Sequence, residues 1–411
     1  MKVCKRCLYS EGHALNLTFD KEGICSGCRV HEEKDSIDWI EREKKLLKLL
    51  DFYRAKTKKN YDCIIPISGG KDSYFIVDLI KNKYKMRPLL VAYNKQYNTK
   101  MGIRNLNYLK TIFQCDCIEN TINPNLSKKI TRYTLDKIGS IYWYNHLGTT
   151  TFPVQVAAKY KIPLIIWGAH QGIDQVGMFS HTDEVEMTRK YRKEHDLMGY
   201  EAEDMISEKD ELYERDMSKL FYPSNKDIET IGIRGIYLNN YIRWDSKLQH
   251  EEMIKKYNYE TMQQTRTFNT YDNVDCFMYS DLHDYIKYIK LGYGKVTDHV
   301  SREIRLNHLS REEGLKIVEK YQYNFPKYLN MFLEWLEISE KEFFKKLEKF
   351  NKLKKEDINK LEKRVLFNEN IHSRDLLYTN NEKFIINSRT NCIDDKILLF
   401  DKGYINNIKG N

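Results

Sequence analysis

Three groups of residues in this chain could do chemistry. The first is Ser68-Gly69-Gly70-Lys71-Asp72-Ser73, with two glycines, a cation, a carboxylate and two hydroxyls in six positions. Glycines let a ligand approach the backbone, outward N–H groups favour an anion, and Lys71 adds positive charge, so the group suits a phosphate. The second is a pair of Cys-x-x-Cys units, Cys4/Cys7 and Cys25/Cys28, with 17 residues between them. Two turns that each present two thiolates close a tetrahedral zinc site, and a closed four-thiolate site is structural. The third is GYGKVTDHVSREIR, residues 292 to 305. If it is helical, Asp298, Arg302 and Arg305 share one face, and His299 and Glu303 another. Arg302 suits bidentate binding of a phosphate or carboxylate, and His299 has a reference pKa near neutrality. A salt-bridged surface helix would present the same composition.

The elements around the first group are legible. Cys63 to Ile67 is short, apolar and β-branched, as in a buried strand. Phe75, Ile76, Leu79 and Ile80 then recur with helical spacing, with Asp72 or Ser73 expected as the cap. Strand, glycine turn and helix N-terminus form a phosphate cradle. It is not a Walker A loop, because Ile65 stands where the first glycine belongs and Asp72 where Ser or Thr belongs. The string SGGKDS matches the PP-loop of ATP pyrophosphatases, which split ATP into AMP and pyrophosphate.

Further strands are expected at 87–93, 117–122, 162–167 and 235–242, alternating with helices at 101–113 and 148–160. This alternation implies an α/β fold with a parallel sheet covered on both faces, whose ligands bind at the carboxyl ends of strands. Asn94, Gly168 and His170 sit at two further strand ends and are candidates, with the loop residues, for binding ATP. The expected organisation is a zinc ribbon over 1–32, a helical linker over 33–60, and an ATP pyrophosphatase domain over 61–245. A charged insertion at 173–230 interrupts that domain, a helical region covers 246–350, and 351–411 is a tail without assigned function. Glu186 and Arg189, in the insertion, are further candidates for binding substrate.

With 411 residues the chain can bury one large core or several modest ones. No run of 18 apolar residues and no secretory h-region occur, so a cytoplasmic protein without membrane spans is expected. Nine cysteines then argue for thiols and metal. The net charge of +9 suits anionic ligands, but it is dispersed and marks no nucleic-acid surface. GICSG at 23–27 fits a glutaminase elbow only as a string, since it lacks the strand-turn-helix context and Cys25 belongs to the ribbon.

The order of these motifs resembles the bacterial N-acetyl sugar amidotransferases of the PP-loop superfamily, enzymes of surface-polysaccharide (LPS) and flagellin-sugar biosynthesis. The resemblance covers roughly residues 1 to 345 and rests on the four cysteines, SGGKDS, LIIWGAH, YLNNYIRWD at 237–245, and GYGKVTDHVSREIR followed by LSREEGLKIVEKY. The chain departs from the family pattern at Ala169, where an acidic residue is expected. The resemblance implies a HUP-like fold and conversion of an acetamido group on a nucleotide-activated sugar, or on a nonulosonic acid such as pseudaminic or legionaminic acid, into an acetamidino group. It implies ATP and Mg²⁺ at the loop, with Lys71 and Asp72 acting on the leaving pyrophosphate. It implies Asp298, Ser301 and Arg302 at the substrate, and His299 positioning the amide or accepting a proton from ammonium. No glutaminase nucleophile is evident in the chain, so ammonia is expected from a separate glutaminase paired with a cyclase-like subunit. A tRNA thiolase and a non-enzymatic nucleotide-binding scaffold are the rivals; Cys115-x-Cys117 is poor spacing for the cluster of the first, and the intact loop opposes the second.

Overall fold

The computed structural model describes residues 2–361 apart from Asn16, Lys58 and Lys59, and the backbone of 384–387 and 396–399. In chain order the elements are α1 (Ser26–Glu33), α2 (Trp39–Lys56), β1 (Cys63–Ile67), α3 (Lys71–Val77), β2 (Pro88–Tyr93), α4 (Lys100–Ile112), β3 (Cys117–Asn120), α5 (Pro124–Ile138), α6 (Trp143–Tyr160) and β4 (Leu164–Trp167). The segment before the last parallel strand holds only short helices, α7 (Gln171–Asp174), α8 (Arg189–Tyr191), α9 (Glu214–Met217) and α10 (Asn225–Ile231). Then follow β5 (Arg234–Tyr237), α11 (Ser246–Tyr257), α12 (Asp284–Leu291), α13 (Lys295–Arg305), α14 (Arg311–Tyr321), α15 (Leu329–Leu336), α16 (Glu340–Glu348) and α17 (Lys355–Leu361). An antiparallel pair at 384–387 and 396–399 lies in the tail, most of which is outside the described residues.

The five strands form one parallel sheet in the order β3-β2-β1-β4-β5. Both faces are buried, as the β-branched runs require. Ile65, Ile67, Leu90, Ala92, Leu164 and Ile166 pack toward α3, α4 and α11, while Ile64, Leu89, Val91 and Ile165 pack toward Val154, Val156 and Ala157 of α6. The strand order reverses between β1 and β4, so the crevice at their carboxyl ends is the place where such sheets take ligands.

The structure changes several expectations. Gly70, not Asp72 or Ser73, is the N-cap of α3. The Ser73 hydroxyl is taken by the Ser68 N–H at 3.0 Å, and the Asp72 carboxylate by Lys71. β5 stops at Tyr237 because Leu238–Asn240 turns, which lets Asn239 Oδ1 accept from the His170 N–H at 3.1 Å. α6 starts at Trp143, earlier than position 148. Residues 258–276 are irregular rather than helical. Asn269 organises them, its side-chain oxygen accepting from the N–H groups of Tyr271 and Asp272. Among the described residues no helix is long and apolar enough to cross a membrane.

Candidate active site

The SGGKDS loop follows β1 and is folded by its own serines, Ser68 Oγ accepting from the Gly70 N–H at 3.2 Å. Gly69 has φ +81°, and a Cβ there would lie 2.9 Å from Leu106, so both conformation and space require glycine. Lys71, only 5% exposed, lies between two carboxylates: Asp72 Oδ1 at 2.6 Å and Asp272 Oδ1 at 3.2 Å. Asp272 is the hub of the site. Its Oδ2 accepts from Arg302 at 2.7 Å and lies 3.5 Å from His299 Nε2. The irregular segment brings it there from a position some two hundred residues after the loop.

The electrostatics follow from this packing. Burial opposes the Lys71 charge, but Asp272 and Asp72 outweigh it and hold its pKa above the ordinary value. Burial also disfavours the Asp272 carboxylate, yet Arg302, Lys71 and His299 hold it well below the usual range. His299 departs from the near-neutral reference value of a free imidazole. Burial, only partly offset by Asp272, pulls it to about 3. The ring is therefore neutral near pH 7 and a weak base, with Nδ1 bonded to Thr267 Oγ1 at 2.8 Å.

These groups line a cavity of about 250 Å³. Lys71, Asp72, Asp298, His299 and Arg302 all face it, together with Ala169. Asp298 is already engaged by the Tyr9 hydroxyl at 2.8 Å and by Lys287. The other candidates lie elsewhere. Ser301 is fully buried, its hydroxyl accepting from the Leu8 N–H at 3.4 Å. His170 packs its ring among Phe179, Tyr191 and Tyr237. Asn94 organises its own loop, its oxygen accepting from Gln96 and Asn98. Gly168 abuts Ile76 and Trp244. Glu186 pairs with Arg234 at 2.9 Å, and Arg189 with Glu201 at 3.3 Å.

Cys4, Cys7, Cys25 and Cys28 are buried with their sulfurs within 4.8 Å of one another. The Cys4–Cys28 and Cys7–Cys25 separations are 4.0 and 3.6 Å. A tetrahedral zinc with bonds of about 2.3 Å sets its sulfurs about 3.8 Å apart, so the donor set fits that ion. The Arg305 guanidinium lies 3.6 Å from the Cys25 sulfur and 3.8 Å from that of Cys7, and donates to the Gln175 carbonyl at 2.6 Å. Gly27 is where this contact needs a glycine, because a Cβ would come 2.4 Å from the guanidinium. Tyr9, Gln175 and Arg305 thus tie the cysteine module to α13.

Sequence reasoning missed Asp272, Tyr9 and Lys287. The only local signal for Asp272 is the turn-rich N-T-Y-D-N string at 269–273, which says that the chain bends but not what it bends toward.

Comparison with known proteins adds a family at the C-terminal side. The family described as LPS biosynthesis protein WbpG-like, C-terminal domain, matches residues 251–365. That span carries Asp272, Asp298, His299 and Arg302. An uncharacterised protein of Methanocaldococcus jannaschii is 27% identical over 113 residues, which is 28% of this chain and 40% of that protein. The chain thus spans less than half the length of the curated relative it matches. Among solved structures, the NH3-dependent NAD synthetase of Campylobacter jejuni aligns with a TM-score of 0.27 and 16% identity, over 47% of this chain and 92% of that one. The NMN synthetase of Francisella tularensis aligns with a TM-score of 0.26 and 12% identity, over 55% and 99% respectively.

Proposed function

We propose that this chain is an ATP-dependent amidotransferase of the PP-loop type that acts on the acetamido group of an activated sugar. The observation that carries the reading is the convergence of Lys71 and Arg302 on one cavity at the carboxyl end of β1, beside an SGGKDS loop. The WbpG-like match over the segment that supplies Asp272 and Arg302 supports a surface-polysaccharide setting. An amide carbon is a poor electrophile because oxide is a bad leaving group. Attack of the amide oxygen on the α-phosphorus of ATP forms an O–P bond and expels pyrophosphate. Ammonia then adds to the carbon, AMP leaves with the oxygen, and an amidine remains.

Such a sequence needs positioning and charge neutralisation more than acid–base catalysis. Lys71, released from Asp272 by an incoming phosphate, neutralises the leaving pyrophosphate. Arg302 holds a second anionic group. His299 and Thr267 keep the Arg302–Asp272 side of the cavity ordered. Asp72, 51% exposed at the cavity rim, is the carboxylate placed to hold Mg²⁺, which favours carboxylate and phosphate oxygens and would screen the triphosphate charge. The four cysteines would hold zinc as a structural ion. Ammonia would come from a separate glutaminase associated with a cyclase-like subunit. The thiolase reading is disfavoured, because Cys115 opens on a different cavity with Arg87 and Pro88, at the amino end of the sheet.

The test is product analysis with ATP, Mg²⁺, ammonium and a panel of nucleotide-linked N-acetyl sugars. AMP and pyrophosphate formed only when a sugar is present support the proposal. ADP and phosphate mean that the loop has been misassigned.

A further inference from the structure

α13 begins with a lysine that has no part in the site so far. Lys295 is 6% exposed and lines the loop cavity, one turn before His299 on the same side of the helix. Its position is fixed from two directions. Gly294 is the N-cap and offers no side chain, so the Asp284 carboxylate reaches in from α12 and accepts the Lys295 N–H. A Cβ at 294 would lie 3.1 Å from Asp284 Oδ2 and crowd that contact.

The amine itself meets a neutral group. Lys295 Nζ donates to Gln264 Oε1. Gln264 holds that orientation because its amide nitrogen donates to the carbonyls of Asn269 at 2.9 Å and Asp272 at 2.7 Å. The carboxylates that face the lysine are taken by others. Asp284 accepts from Arg266 at 2.7 Å as well as from the helix start. Asp281 accepts from the Thr265 hydroxyl at 2.7 Å and the Tyr328 N–H at 2.9 Å, and Asp272 from Arg302 at 2.7 Å. Lys71, Lys287 and Arg302 each touch a carboxylate in this cavity, whereas Lys295 has only the amide. Burial therefore dominates its charge. Asp284, Asp281 and Asp272 offset part of that cost, Arg266 adds to it, and the amine falls to about 8. His283 and His299, the rings that also feel this charge, are held neutral by burial. Near pH 7 roughly one amine in ten then carries a free lone pair.

A buried lysine with a free lone pair can accept a proton. Adenylation of an amide oxygen moves no proton, but the step after it does. A nitrogen that has just bonded to the amide carbon carries one proton in excess, and until that proton is lost the nitrogen can leave again instead of AMP. His299 is too weak a base to take it. We infer that Lys295 is the general base of this second step, taking the excess proton from the newly bonded nitrogen. The N–H electron pair stays on nitrogen, the C–O bond breaks with its electrons going to the oxygen of AMP, an amidine remains, and Lys295 returns the proton to water. The inference rests on the amidotransferase reading and adds a catalytic residue to it.

The test uses the full chain and two measurements. Limiting acetic anhydride over a range of pH, followed by peptide mass spectrometry, reads the titration of each lysine. Lys295 should reach half its limiting reactivity near pH 8, roughly two units below surface lysines. Turnover to the amidino product is then measured with ATP, Mg²⁺, the panel of nucleotide-linked N-acetyl sugars and a constant concentration of free ammonia. Lys295→Arg keeps the charge without an available lone pair, and Lys295→Met removes both. Each should lower turnover about 100-fold or more, and the arginine variant should keep ATP affinity within about twofold by calorimetry and lose the acid limb of the native pH profile. Half-reactivity at the pH of surface lysines, full turnover in Lys295→Arg, or a loss of ATP affinity as large as the loss of turnover overturns the inference and leaves the amidotransferase reading standing. Native protein that forms no AMP with any sugar of the panel removes that reading, and the base with it, whatever the labelling shows.

Discussion

Asp272 carries more of this site than any residue of the SGGKDS loop except Lys71. It pairs with cations from two different elements, and its removal would leave Lys71 with Asp72 alone and Arg302 without its 2.7 Å partner. Breaking one member of such a buried set costs about 3 kcal/mol or more. Asp272→Asn should therefore lower the melting temperature by about 5 °C or more, measured by scanning calorimetry. An unchanged melting temperature would mean that the carboxylate is solvated and the hub misdescribed. Lys71→Ala should act on turnover instead, lowering the rate of AMP formation about 100-fold or more, as loss of one preorganised charge does. A variant with full turnover would remove Lys71 from the chemistry. The loop was legible because its six residues are contiguous and placed between a strand and a helical repeat. Asp272 was not, because nothing in local spacing records a contact between positions 71 and 272, and a turn-rich string gives no direction.

At the scale of elements, α13 is the part that joins the site together. Arg302 faces the cavity, Ser301 receives the Leu8 N–H, and Arg305 reaches the cysteine sulfurs. The sequence showed that Asp298, Arg302 and Arg305 could share a face, but not that one end of that face touches thiolates. A zinc ion with four thiolates carries a net charge of about −2, which Arg305 partly balances. Purified protein should hold close to one zinc per chain by metal analysis. Its removal by a chelator should lower the melting temperature and expose α13 to amide exchange, since structural metal binding is coupled to folding. Protection of α13 unchanged after complete zinc loss would separate the cysteine module from the site. The strands were legible from β-branched runs, but β3 and β4 are two residues shorter than expected, and β5 stops early where Asn239 turns to bond His170. The irregular stretch at 258–276 was read as helix because its side-chain hydrogen bonds, centred on Asn269, leave no periodic trace.

For the whole molecule, the histidines set the response to acid. Burial lowers His13 and His146 to about 4 and His299 to about 3. The unfolded chain, with histidine near 6.5, then binds protons before the folded chain does. The stability these rings contribute is complete above pH 6.5 and is lost as pH falls toward the folded values. At pH 5.5 the loss is about 1.4 kcal/mol for each ring. Asp196 and Asp281, raised by burial, work in the opposite sense but are outnumbered by the histidines. The melting temperature should therefore fall between pH 7 and pH 5.5 with zinc content constant, and a flat or rising profile would show that the rings reach water. The same architecture places the loop, Asp272 and Arg302 at the reversal point of the sheet.

The account stands or falls on what happens to ATP and to the amide oxygen. The direct measurement is a reaction with a UDP-N-acetylhexosamine labelled with ¹⁸O in the acetamido group, with ¹⁵N-ammonium, ATP and Mg²⁺, followed by ³¹P nuclear magnetic resonance and mass spectrometry. The account predicts one pyrophosphate per turnover, ¹⁸O in the phosphate of AMP, and ¹⁵N in an acetamidino sugar. Label retained in the sugar, or ADP and phosphate as the products, would contradict it.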